Sequence, residues 1–437
     1  MTDSRIACNM GKTDPAKRRV LFYATTAYMI DQFNMMNIRM LQDMGLAVDV
    51  ACNFEHGNPV SPERLEAFKR ELDEAGIDRI QLDLTRNIFD LIHNGSALGK
   101  SIRLMRERKY AFVHCHTPVG AVIARLACRA TGTKVIYTAH GFHFFKGAPL
   151  LNWLVYYPIE KFFSGMTDVL ITINKEDYDR ARAKFHMKKL EYVPGVGIDM
   201  SRYEAPGRNR IRAELGIPDD AILMVTVGEL SKRKNQIAVL KALAKLESEA
   251  EQAVPAGAGK QQGSEAEQAA PAGADKPAET KADERRAGLP DYRFAIAGTG
   301  IYKEELQKFI DENGLAGKVM LLGFRTDIPE ICRAADAFVF PSFQEGLPVA
   351  LMEAMACGLP AAVSRIRGNA DLIDENGGIL FDLDKENKGV EEALLKLLSL
   401  SQEERRAYGA HNAEVIRRGF STEAVKQRLQ EIYERVL

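Results

Sequence analysis

Residues 338–360 read FVFPSFQEGLPVALMEAMACGLP, and they describe a strand, a loop and a helix in succession. The apolar start is typical of a buried strand, and Gly346-Leu347-Pro348 is typical of a break before a helix. A second Gly-Leu-Pro, at 358–360, indicates the end of that helix. A strand followed by a helix in this way is half of a βαβ unit, which predicts a parallel sheet.

The same alternation continues on both sides of this stretch and begins anew near residue 200. We therefore predict two doubly wound α/β domains, 1–200 and 201–420, with ligands at the carboxyl ends of their strands. Strands are predicted at 18–25, 46–52, 109–116, 133–140, 166–174, 221–230, 291–298, 318–324 and 336–342. Helices are predicted at 31–44, 96–108, 118–130, 151–163 and 236–246.

Residues 247–289 interrupt this alternation of strands and helices. The segment SEAEQAVPAGAGK (248–260) recurs as SEAEQAAPAGADK (264–276), and the stretch contains no aromatic residue. A chain of this composition buries too little apolar surface to offset its ordering entropy. We predict a low-complexity, disordered insertion in a surface loop, either a tolerated duplication or a partner-binding segment.

Composition and charge narrow the class of protein. A length of 437 residues favours two domains over a single core, and a net charge of −1 argues against nucleic-acid binding. Residues 1–200 contain 27 Lys and Arg against 22 Asp and Glu, so this half could face an anionic membrane, or the excess is chance. The six cysteines form no C-x-x-C pair and the first residues contain no apolar signal core, which favours a reduced, cytoplasmic protein.

Two carboxylates flank the predicted start of the helix. Glu345 is expected in the loop, and Glu353 about five residues into the helix, roughly 7–8 Å along its axis. The free backbone N–H groups near Gly346, Leu347 and Val349 make the helix start an anion site. A ligand with a sugar, a pyrophosphate and a ribose in sequence would suit this arrangement. Capping by Glu345 and a solvated Glu353 are the alternative.

This stretch resembles the E-x7-E signature of glycosyltransferase family 4, a family of retaining sugar transferases with the GT-B fold. The resemblance covers most of the chain apart from 247–289, and it is strongest to bacterial transferases that build capsular and exopolysaccharide repeat units. It implies two Rossmann-like domains facing a central cleft, with helix 421–437 packing back onto the first. Six further segments match in the same order: 113–127, 133–149, 171–178, 192–203, 227–236 and 366–373.

The resemblance assigns roles to the residues of the quoted stretch. Glu353 falls where a carboxylate binds the ribose hydroxyls, and Glu345 falls where one contacts the donor sugar. The backbone of Gly346, Leu347 and Pro348 would lie beside that sugar and the phosphates, although Pro348 has no N–H to donate.

The family usually shows Gly-Arg followed five residues later by Lys, both gripping the donor pyrophosphate. In VGELSKRKNQ (227–236) Lys234 matches the lysine, whereas Glu229 replaces the arginine. A carboxylate beside a pyrophosphate is repulsive. We therefore expect Glu229 to turn away, or Lys232 or Arg233 to supply the missing positive charge.

Further donor contacts follow from the same resemblance. The segment AIAGTGIYKEEL (295–306) lacks the third glycine of a dinucleotide fingerprint, but its Gly-x-Gly would approach the nucleotide; a tight turn is the alternative. The loop in LLGFRTD (321–327) would hold the base through its backbone. The residues implied here are Gly228, Gly298, Gly300, Phe324 and Arg325.

Histidines lie at the ends of two predicted strands, 109–116 and 133–140. His114-Cys115-His116 suggests a metal, but no carboxylate or further Cys lies nearby at ligand spacing, so we expect no metal and no other cofactor. By resemblance, His140 contacts the donor sugar and is grouped with Lys234 and Glu345 as catalytic; a satisfied buried histidine is the alternative. His116 and His143 would line the acceptor side.

The resemblance implies a retaining, metal-independent transfer of a hexose or N-acetylhexosamine from a nucleotide sugar, expected to be a UDP-sugar. The acceptor would be a polyprenyl-diphosphate-linked saccharide, and the helix at 151–163 would either contact the inner membrane surface or be an ordinary packed helix. The alternatives are a catalytically silent nucleotide-sugar-binding partner, which the Glu229 departure favours, and a nucleotide-sugar epimerase. A nicotinamide-dependent oxidoreductase is disfavoured because the glycine fingerprint is incomplete.

Overall fold

The computed structural model describes residues 18–203, 208–253 and 289–437. Most of the predicted insertion lies outside these ranges. Its first residues do not, because 247–253 continue a helix that begins at Gln236. Glu247 accepts hydrogen bonds from Tyr292 Oη and Lys318 Nζ, each at 2.7 Å, which ties this part of the helix to the neighbouring strands. The predicted start of the insertion at residue 247 is therefore wrong.

The first unit consists of the described residues up to Gly197 together with Arg418–Leu437. Its described strands form one seven-stranded parallel sheet of order β3-β2-β1-β4-β5-β6-β7. The strands are β1 Arg19–Thr26, β2 Ala47–Asn53, β3 Asp78–Gln81, β4 Phe112–His116, β5 Lys134–Ala139, β6 Val169–Thr172 and β7 Lys189–Tyr192. The helices before residue 197 are α1 Ala27–Phe33, α2 Met35–Asp43, α3 Pro62–Glu74, α4 Leu91–Arg108, α5 Pro118–Thr131, α6 Leu150–Ser164 and α7 Lys175–Lys184.

The second unit spans the described residues from Ile198 to Arg417. Its described strands form a six-stranded parallel sheet of order β10-β9-β8-β11-β12-β13. They are β8 Ile222–Val227, β9 Tyr292–Ala297, β10 Val319–Gly323, β11 Ala337–Phe340, β12 Ala361–Ser364 and β13 Gly378–Phe381. The helices are a 3₁₀ turn Met200–Arg202, α8 Arg208–Glu214, α9 Gln236–Ala253, α10 Lys303–Glu312, α11 Ile328–Ala334, α12 Val349–Ala356, α13 Asn369–Leu372, α14 Lys388–Leu398 and α15 Gln402–Val415, and a π-helical turn Ile416–Phe420 follows.

The last helix, α16 (Thr422–Val436), packs on the first sheet. Tyr433 stacks on Phe112 with ring centroids 5.5 Å apart, and its Oη shares a hydrogen bond of 2.9 Å with His114 Nδ1. At the start of the helix, a Cβ on Gly197 (φ +77°) would lie 2.7 Å from Cα of Thr422. Only glycine permits this close approach, so the backbone before residue 198 fits against the returning chain.

The sequence-based prediction of two parallel α/β sheets is confirmed, and so are the central strands. Those strands are buried on both faces, as parallel sheets require, and they appear in the sequence as continuous apolar runs. The predicted helix at 31–44 is wrong in one respect: it is two helices, α1 and α2, which break at Asn34. Four short strands, β3, β7, β12 and β13, were not predicted, because runs of four residues give little periodic signal.

Among the residues that the structure describes, no helix is both long and apolar enough to cross a bilayer.

Candidate active site

In the second unit, the loop after β11 leads directly into α12. Pro348 (φ −78°, ψ 113°) immediately precedes the helix, which begins at Val349. The first N–H groups of the helix have no partner within it, so they are available to an anion. Glu345 lies in the loop and is 7% exposed, whereas Glu353 is the fifth residue of the helix and is half-buried.

Lys234 lies against this loop. Its Nζ donates a hydrogen bond of 2.8 Å to Glu345 Oε1 and lies 4.6 Å from the centre of the Phe340 ring. Its side chain is 12% exposed. Burial lowers the pKa of Lys234 from its ordinary value, and the Glu345 carboxylate opposes that change. The structure thus places a largely desolvated cation beside the helix start, where it would interact strongly with a bound diphosphate.

The departure at position 229 has a structural explanation. The Glu229 side chain is 62% exposed, and its Oε2 lies 3.9 Å from Arg233 Nη2. The same guanidinium donates to the carbonyl oxygen of Gln344 at 3.1 Å and lies 3.5 Å from Glu345 Oε1. Glu229 is therefore directed largely to solvent, while Arg233 supplies a second positive charge at the loop.

For the nucleotide sugar that the resemblance implies, we expect Glu229→Ala to leave affinity and turnover within about threefold of wild type, because the side chain is exposed and is held by a long ion pair. Isothermal titration with the donor and steady-state kinetics would measure both. Arg233→Ala is the matched variant, and it should weaken donor binding clearly. A loss of tenfold or more in Glu229→Ala would show that the carboxylate contacts the ligand after all.

Two glycines bring the loops after β8 and β9 into contact. A Cβ on Gly298 would lie 1.9 Å from the carbonyl oxygen of Gly228, and one on Gly300 would lie 2.2 Å from that of Leu230. Lys234 covers Gly228, since a Cβ there would meet its Cε at 3.3 Å. The glycines predicted to approach the nucleotide therefore also let two strand-end loops pack beside Lys234.

Glu353 has a partner that the sequence did not reveal. Tyr203 Oη donates a hydrogen bond of 2.7 Å to Glu353 Oε1. Burial raises the pKa of Glu353, while the Tyr203 hydrogen bond and nearby Arg202 lower it. One carboxylate oxygen is thus held in place, and the other remains for a ligand hydroxyl.

Sequence reasoning also missed Phe340, which lies under Lys234, and Arg367, whose Nε donates to the carbonyl oxygen of Glu345 at 3.1 Å. The Ser342 hydroxyl, two residues beyond the end of β11, is buried and has no hydrogen-bond partner among the described residues. Ser342 lies inside the quoted stretch and Arg367 inside the matching segment 366–373, so a closer reading of the strand ends could have found both.

Phe324 and Arg325, which were predicted to lie near the nucleotide base, differ in exposure and in their contacts. Phe324 is 76% exposed. The guanidinium of Arg325 is held by Asp327 and by Glu214, each at 2.6 Å. The Arg325 side chain is therefore engaged within the unit, which leaves the backbone as the group that could meet a base.

In the first unit, the structure joins two of the predicted histidines. His116 Nδ1 and His140 Nε2 are 3.1 Å apart and share a hydrogen bond. His114 uses both ring nitrogens, with Tyr433 Oη and with Thr138 Oγ1 at 2.8 Å. His143 is exposed and stacks on Tyr156 instead. Among the described residues, no three His, Cys, Asp or Glu side chains are grouped so that they could hold a metal ion.

These histidines predict acid sensitivity. Burial lowers the pKa of His140 to about 4 and of His114 to about 3, and lowers that of His116 well below its ordinary value of 6.5. Below pH 6.5 these histidines bind protons in the unfolded chain but not in the folded chain. The free energy of unfolding is therefore largest above pH 6.5 and decreases as the pH falls towards 4. Each histidine contributes a slope of about 1.4 kcal/mol per pH unit.

Trp153, the single tryptophan of the chain, lies in the first unit and can report its unfolding. We expect the urea midpoint of its fluorescence transition to fall steadily between pH 6.5 and pH 5. In His140→Asn, the free energy of unfolding should depend less steeply on pH, by the amount that corresponds to about one proton. A midpoint independent of pH over this range would contradict the expected acid sensitivity.

Comparison with known proteins identifies the family. A model of "Glycosyltransferase Family 4" matches residues 36–202, and one of "Glycosyl transferases group 1" matches residues 280–415. EpsD of Bacillus subtilis (strain 168), provisionally described as a glycosyltransferase, is 32% identical over 372 residues, 83% of each chain. The chain is therefore a glycosyltransferase and belongs to family 4.

Two further similarities extend this result. An Escherichia coli UDP-Gal:alpha-D-GlcNAc-diphosphoundecaprenol alpha-1,3-galactosyltransferase is 30% identical over 308 residues, 69% of each chain. The crystal structure of Anabaena Alr3699/HepE with UDP and glucose superimposes with a TM-score of 0.68, covering 96% of this chain and 100% of that chain at 17% identity. At that identity the likeness shows the fold alone, which is GT-B.

Proposed function

We propose that this glycosyltransferase moves a hexose or N-acetylhexosamine from a UDP-sugar to a polyprenyl-diphosphate-linked saccharide, with retention at the anomeric carbon. The pathway would be the synthesis of a capsular or extracellular polysaccharide or a related glycan. The observation that carries the proposal is the buried pair Lys234–Glu345, 2.8 Å apart beside the start of α12. The E. coli relative acts on a diphosphoundecaprenol-linked sugar, which supports the choice of acceptor.

In the proposed reaction the bond between the anomeric carbon and the phosphate oxygen breaks, and UDP leaves with the bonding electrons. Negative charge grows on the departing phosphate, and Lys234 with the N–H groups of α12 would stabilise it. The acceptor hydroxyl attacks the same face of the sugar and forms the new C–O bond. Its proton passes to the departing phosphate, so no side-chain base is required. By resemblance to the family pattern, His140 would contact the donor sugar.

We further propose that the transfer needs no metal ion. Lys234 and Arg233 supply positive charge at the loop, and the α12 N-terminus adds its dipole. These groups could neutralise a diphosphate as a divalent cation does in other transferases. Turnover in EDTA equal to turnover in Mg²⁺ is the expected result, and strict dependence on added metal would contradict it.

The function is tested by thermal stabilisation of the purified protein with a panel of nucleotide sugars, followed by transfer assays with the best donor. Selective stabilisation by one UDP-sugar, together with a product that keeps the anomeric configuration of the donor, is expected. Binding without turnover on any polyprenyl-diphosphate saccharide would favour a silent binding partner. Conversion of the donor sugar without transfer would favour an epimerase.

We also propose that the first unit associates with the cytoplasmic face of the membrane. Leu151, Leu154 and Phe162 of α6 are 68%, 73% and 65% exposed, and they recur at helical spacing. Phe89, in the turn before α4, and Ile92, in the first turn of that helix, are 74% and 83% exposed. Both helices follow strands of one parallel sheet, so their starts, which carry Leu151, Leu154 and Ile92, lie at the same edge of that sheet, whereas Phe162 lies near the other end of α6. Apolar side chains on one edge would suit insertion among lipid headgroups.

The aromatic residues of α6 have another role. Trp153 lies under the Arg180 guanidinium at 4.6 Å, and Tyr156 stacks on His143 at 4.5 Å. Both residues pack against the core of the first unit rather than lying on the exposed stripe. A test of membrane binding should therefore target the leucines.

We expect Leu151→Asp with Leu154→Asp to reduce co-sedimentation with phosphatidylglycerol vesicles by at least tenfold, because burying each leucine stabilises binding by about 1.5–3 kcal/mol. Trp153→Phe is the matched control on the inward face and should bind as wild type does. Donor-induced stabilisation should be unchanged in all variants. Equal sedimentation of the double variant and wild type would contradict this use of α6.

A further inference from the structure

The chain that leads from β11 to α12 lies between two neighbouring loops of the second unit. In the sheet, β11 pairs with β8 on one side and with β12 on the other. The loop after β8 contains Arg233, and the loop after β12 contains Arg367. These two loops therefore flank the segment 341–348, which carries Glu345.

Side chains of the flanking loops bind the carbonyl oxygens of this segment. Two donors come from the β8 side and two from the end of β12 and the loop that follows it. The four bonds run from Asn235 Nδ2 to Pro341 (3.1 Å), from Arg233 Nη1 to Gln344 (3.1 Å), from Ser364 Oγ to Ser342 (2.6 Å) and from Arg367 Nε to Glu345 (3.1 Å). The backbone before α12 is thus held from both sides, mainly by side chains.

The bond from Arg367 fixes the direction of one peptide group. The peptide between Glu345 and Gly346 is planar and trans, so its carbonyl and its N–H point in opposite directions. Because Arg367 holds the carbonyl oxygen, the Gly346 N–H points away from Arg367. Gly346 is partly exposed, and its N–H forms no hydrogen bond with a described residue. This donor is therefore oriented and open to a ligand at the start of α12.

A close approach of the two backbones supports this contact. Gly368 follows Arg367 and has φ +83°. A Cβ at this position would lie 2.6 Å from the carbonyl oxygen of Gly346 and 3.2 Å from Cδ of Pro348. Only glycine fits here, so the loop after β12 packs directly against the segment before α12. Arg367 therefore reaches Glu345 from a backbone that is itself held in place.

Arg367 could act through its charge or through its hydrogen bond. Its bond to Glu345 uses Nε, the guanidinium nitrogen nearest the backbone, and ends on a main-chain carbonyl. Arg233 and Lys234 already supply positive charge within 3.5 Å and 2.8 Å of the Glu345 carboxylate. These contacts favour a role for the Nε hydrogen bond over a role for the charge.

We propose that Arg367 is a positioning residue, which holds the Glu345–Gly346 peptide through Nε and so sets the direction of the Gly346 N–H before the donor binds. The inference rests on the proposed function in assigning that N–H to the leaving diphosphate. A donor that is already oriented needs no rearrangement as charge develops on the phosphate. In this role the position of the nitrogen matters, and the charge of the side chain does not.

Three substitutions separate the nitrogen from the charge. Arg367→Gln places Nε2 at the same point along the side chain as Nε of arginine, and it removes the charge. Arg367→Lys keeps the charge but has a methylene group at that point. Arg367→Met has a methyl group there and lacks both properties. Arg365→Gln is the matched control, because Arg365 lies in the same loop but donates to the carbonyl oxygen of Leu380 in β13, at 3.0 Å.

The first test needs no ligand. The dipeptide Glu-Gly occurs once in the chain, at 345–346. Cell-free synthesis of the full chain with ¹³C-carbonyl glutamate and ¹⁵N-glycine therefore gives one carbonyl–amide correlation, which reports this peptide alone. A hydrogen bond to a carbonyl oxygen moves the ¹³C signal to higher frequency. The signal should stay near its wild-type position in Arg367→Gln and Arg365→Gln, and move to lower frequency in Arg367→Lys and Arg367→Met.

Two results of this test would overturn the proposal. One is a wild-type carbonyl signal in all the variants, which would show that Arg367 does not hold the peptide. The other is a displacement in Arg367→Gln as large as that in Arg367→Met, which would show that the nitrogen at this point is not what matters. If Arg367→Met does not fold, Arg367→Lys provides the same comparison, since it too lacks a donor at that point.

The second test adds UDP to the labelled wild type. The amide proton of Gly346 gives part of the same single signal and should move as UDP binds, with the affinity measured in parallel by titration calorimetry. UDP binding that leaves this signal unchanged would overturn the contact between the Gly346 N–H and the diphosphate. Absence of UDP binding would contradict the proposed function, while the carbonyl signal still decides whether Arg367 positions the peptide.

The third test follows the release of UDP from UDP-galactose. Arg367→Lys and Arg367→Met should lower kcat by about tenfold and leave KM for the donor within about twofold, because a misdirected N–H affects the reacting complex more than binding. Arg367→Gln should stay within about threefold of wild type. The reverse order, with Arg367→Lys active and Arg367→Gln impaired, would show that the charge acts and would overturn the proposal. Absence of turnover in wild type would exclude UDP-galactose as the donor, and the carbonyl signal would then decide the role of Arg367.

Discussion

Lys234→Ala is expected to lower turnover by roughly 10²–10³-fold, the usual cost of removing one preorganised donor to a developing charge. The lysine is buried, donates a 2.8 Å hydrogen bond to Glu345 in the loop before α12, and has its pKa lowered by that burial. A bound diphosphate would meet it with little intervening water. Donor affinity should fall much less than kcat, because the charge on the leaving phosphate is largest in the transition state.

A stability effect must be separated from this catalytic effect. Lys234→Ala leaves Glu345, which is 7% exposed, with Arg233 at 3.5 Å as its remaining cation. Removing one partner of a buried ion pair lowers the free energy of unfolding by up to about 3–5 kcal/mol, whereas replacing both partners by neutral groups often leaves it unchanged. The double variant Lys234→Met with Glu345→Gln should therefore regain stability and remain inactive. Recovery of turnover in that variant would show that the lysine acts only through folding.

Glu353→Gln is expected to weaken UDP-sugar binding by about 10- to 100-fold, since hydrogen bonds to a charged group contribute roughly 1.5–3 kcal/mol each. The change keeps the shape of the side chain and removes its charge. Glu353 is half-buried on the first turns of α12, and Tyr203 holds one of its oxygens at 2.7 Å. Titration with UDP, and with the corresponding 2′,3′-dideoxy nucleotide, would show whether the lost affinity belongs to the ribose hydroxyls.

Tyr203→Phe provides a matched comparison. It leaves the carboxylate in place and removes only the hydroxyl that orients it, so affinity should fall by less than in Glu353→Gln. The two changes should not add fully, because they act on one hydrogen-bonded group. Full additivity, or equal loss for UDP and the dideoxy nucleotide, would argue against a ribose contact by Glu353.

Much of the second unit could be predicted from local sequence. The run FVFP before an acid, a Gly-Leu-Pro and a helix defines its strand, loop and helix over adjacent residues, so the positions of Glu345 and Glu353 follow from short-range rules. Lys234 was found through its match to a family pattern. Its pairing with Glu345, 111 positions away, required the fold.

The contacts that were not predicted share one physical property. Tyr203 and Glu353 are separated by 150 positions, and His114 and Tyr433 by 319. No periodicity encodes such partners, because the sheet order and the returning helix bring them together. Asn37 is similar: its sequence surroundings indicate an ordinary helix, and only the structure shows that its amide oxygen is buried without a hydrogen-bond partner among the described residues.

The return of α16 to the first sheet affects the order in which the protein can be completed during synthesis. The second unit is continuous in the chain, from Ile198 to Arg417, whereas the first includes residues on both sides of it. Domains usually fold as they emerge from the ribosome, amino-terminal part first. In this chain, the surface of the first sheet that packs against Val425, Leu429 and Tyr433 stays uncovered until residues 422–436 have been synthesised. The half that begins first is thus the last to be finished, and a nascent chain stalled after residue 417 would present that apolar surface to chaperones.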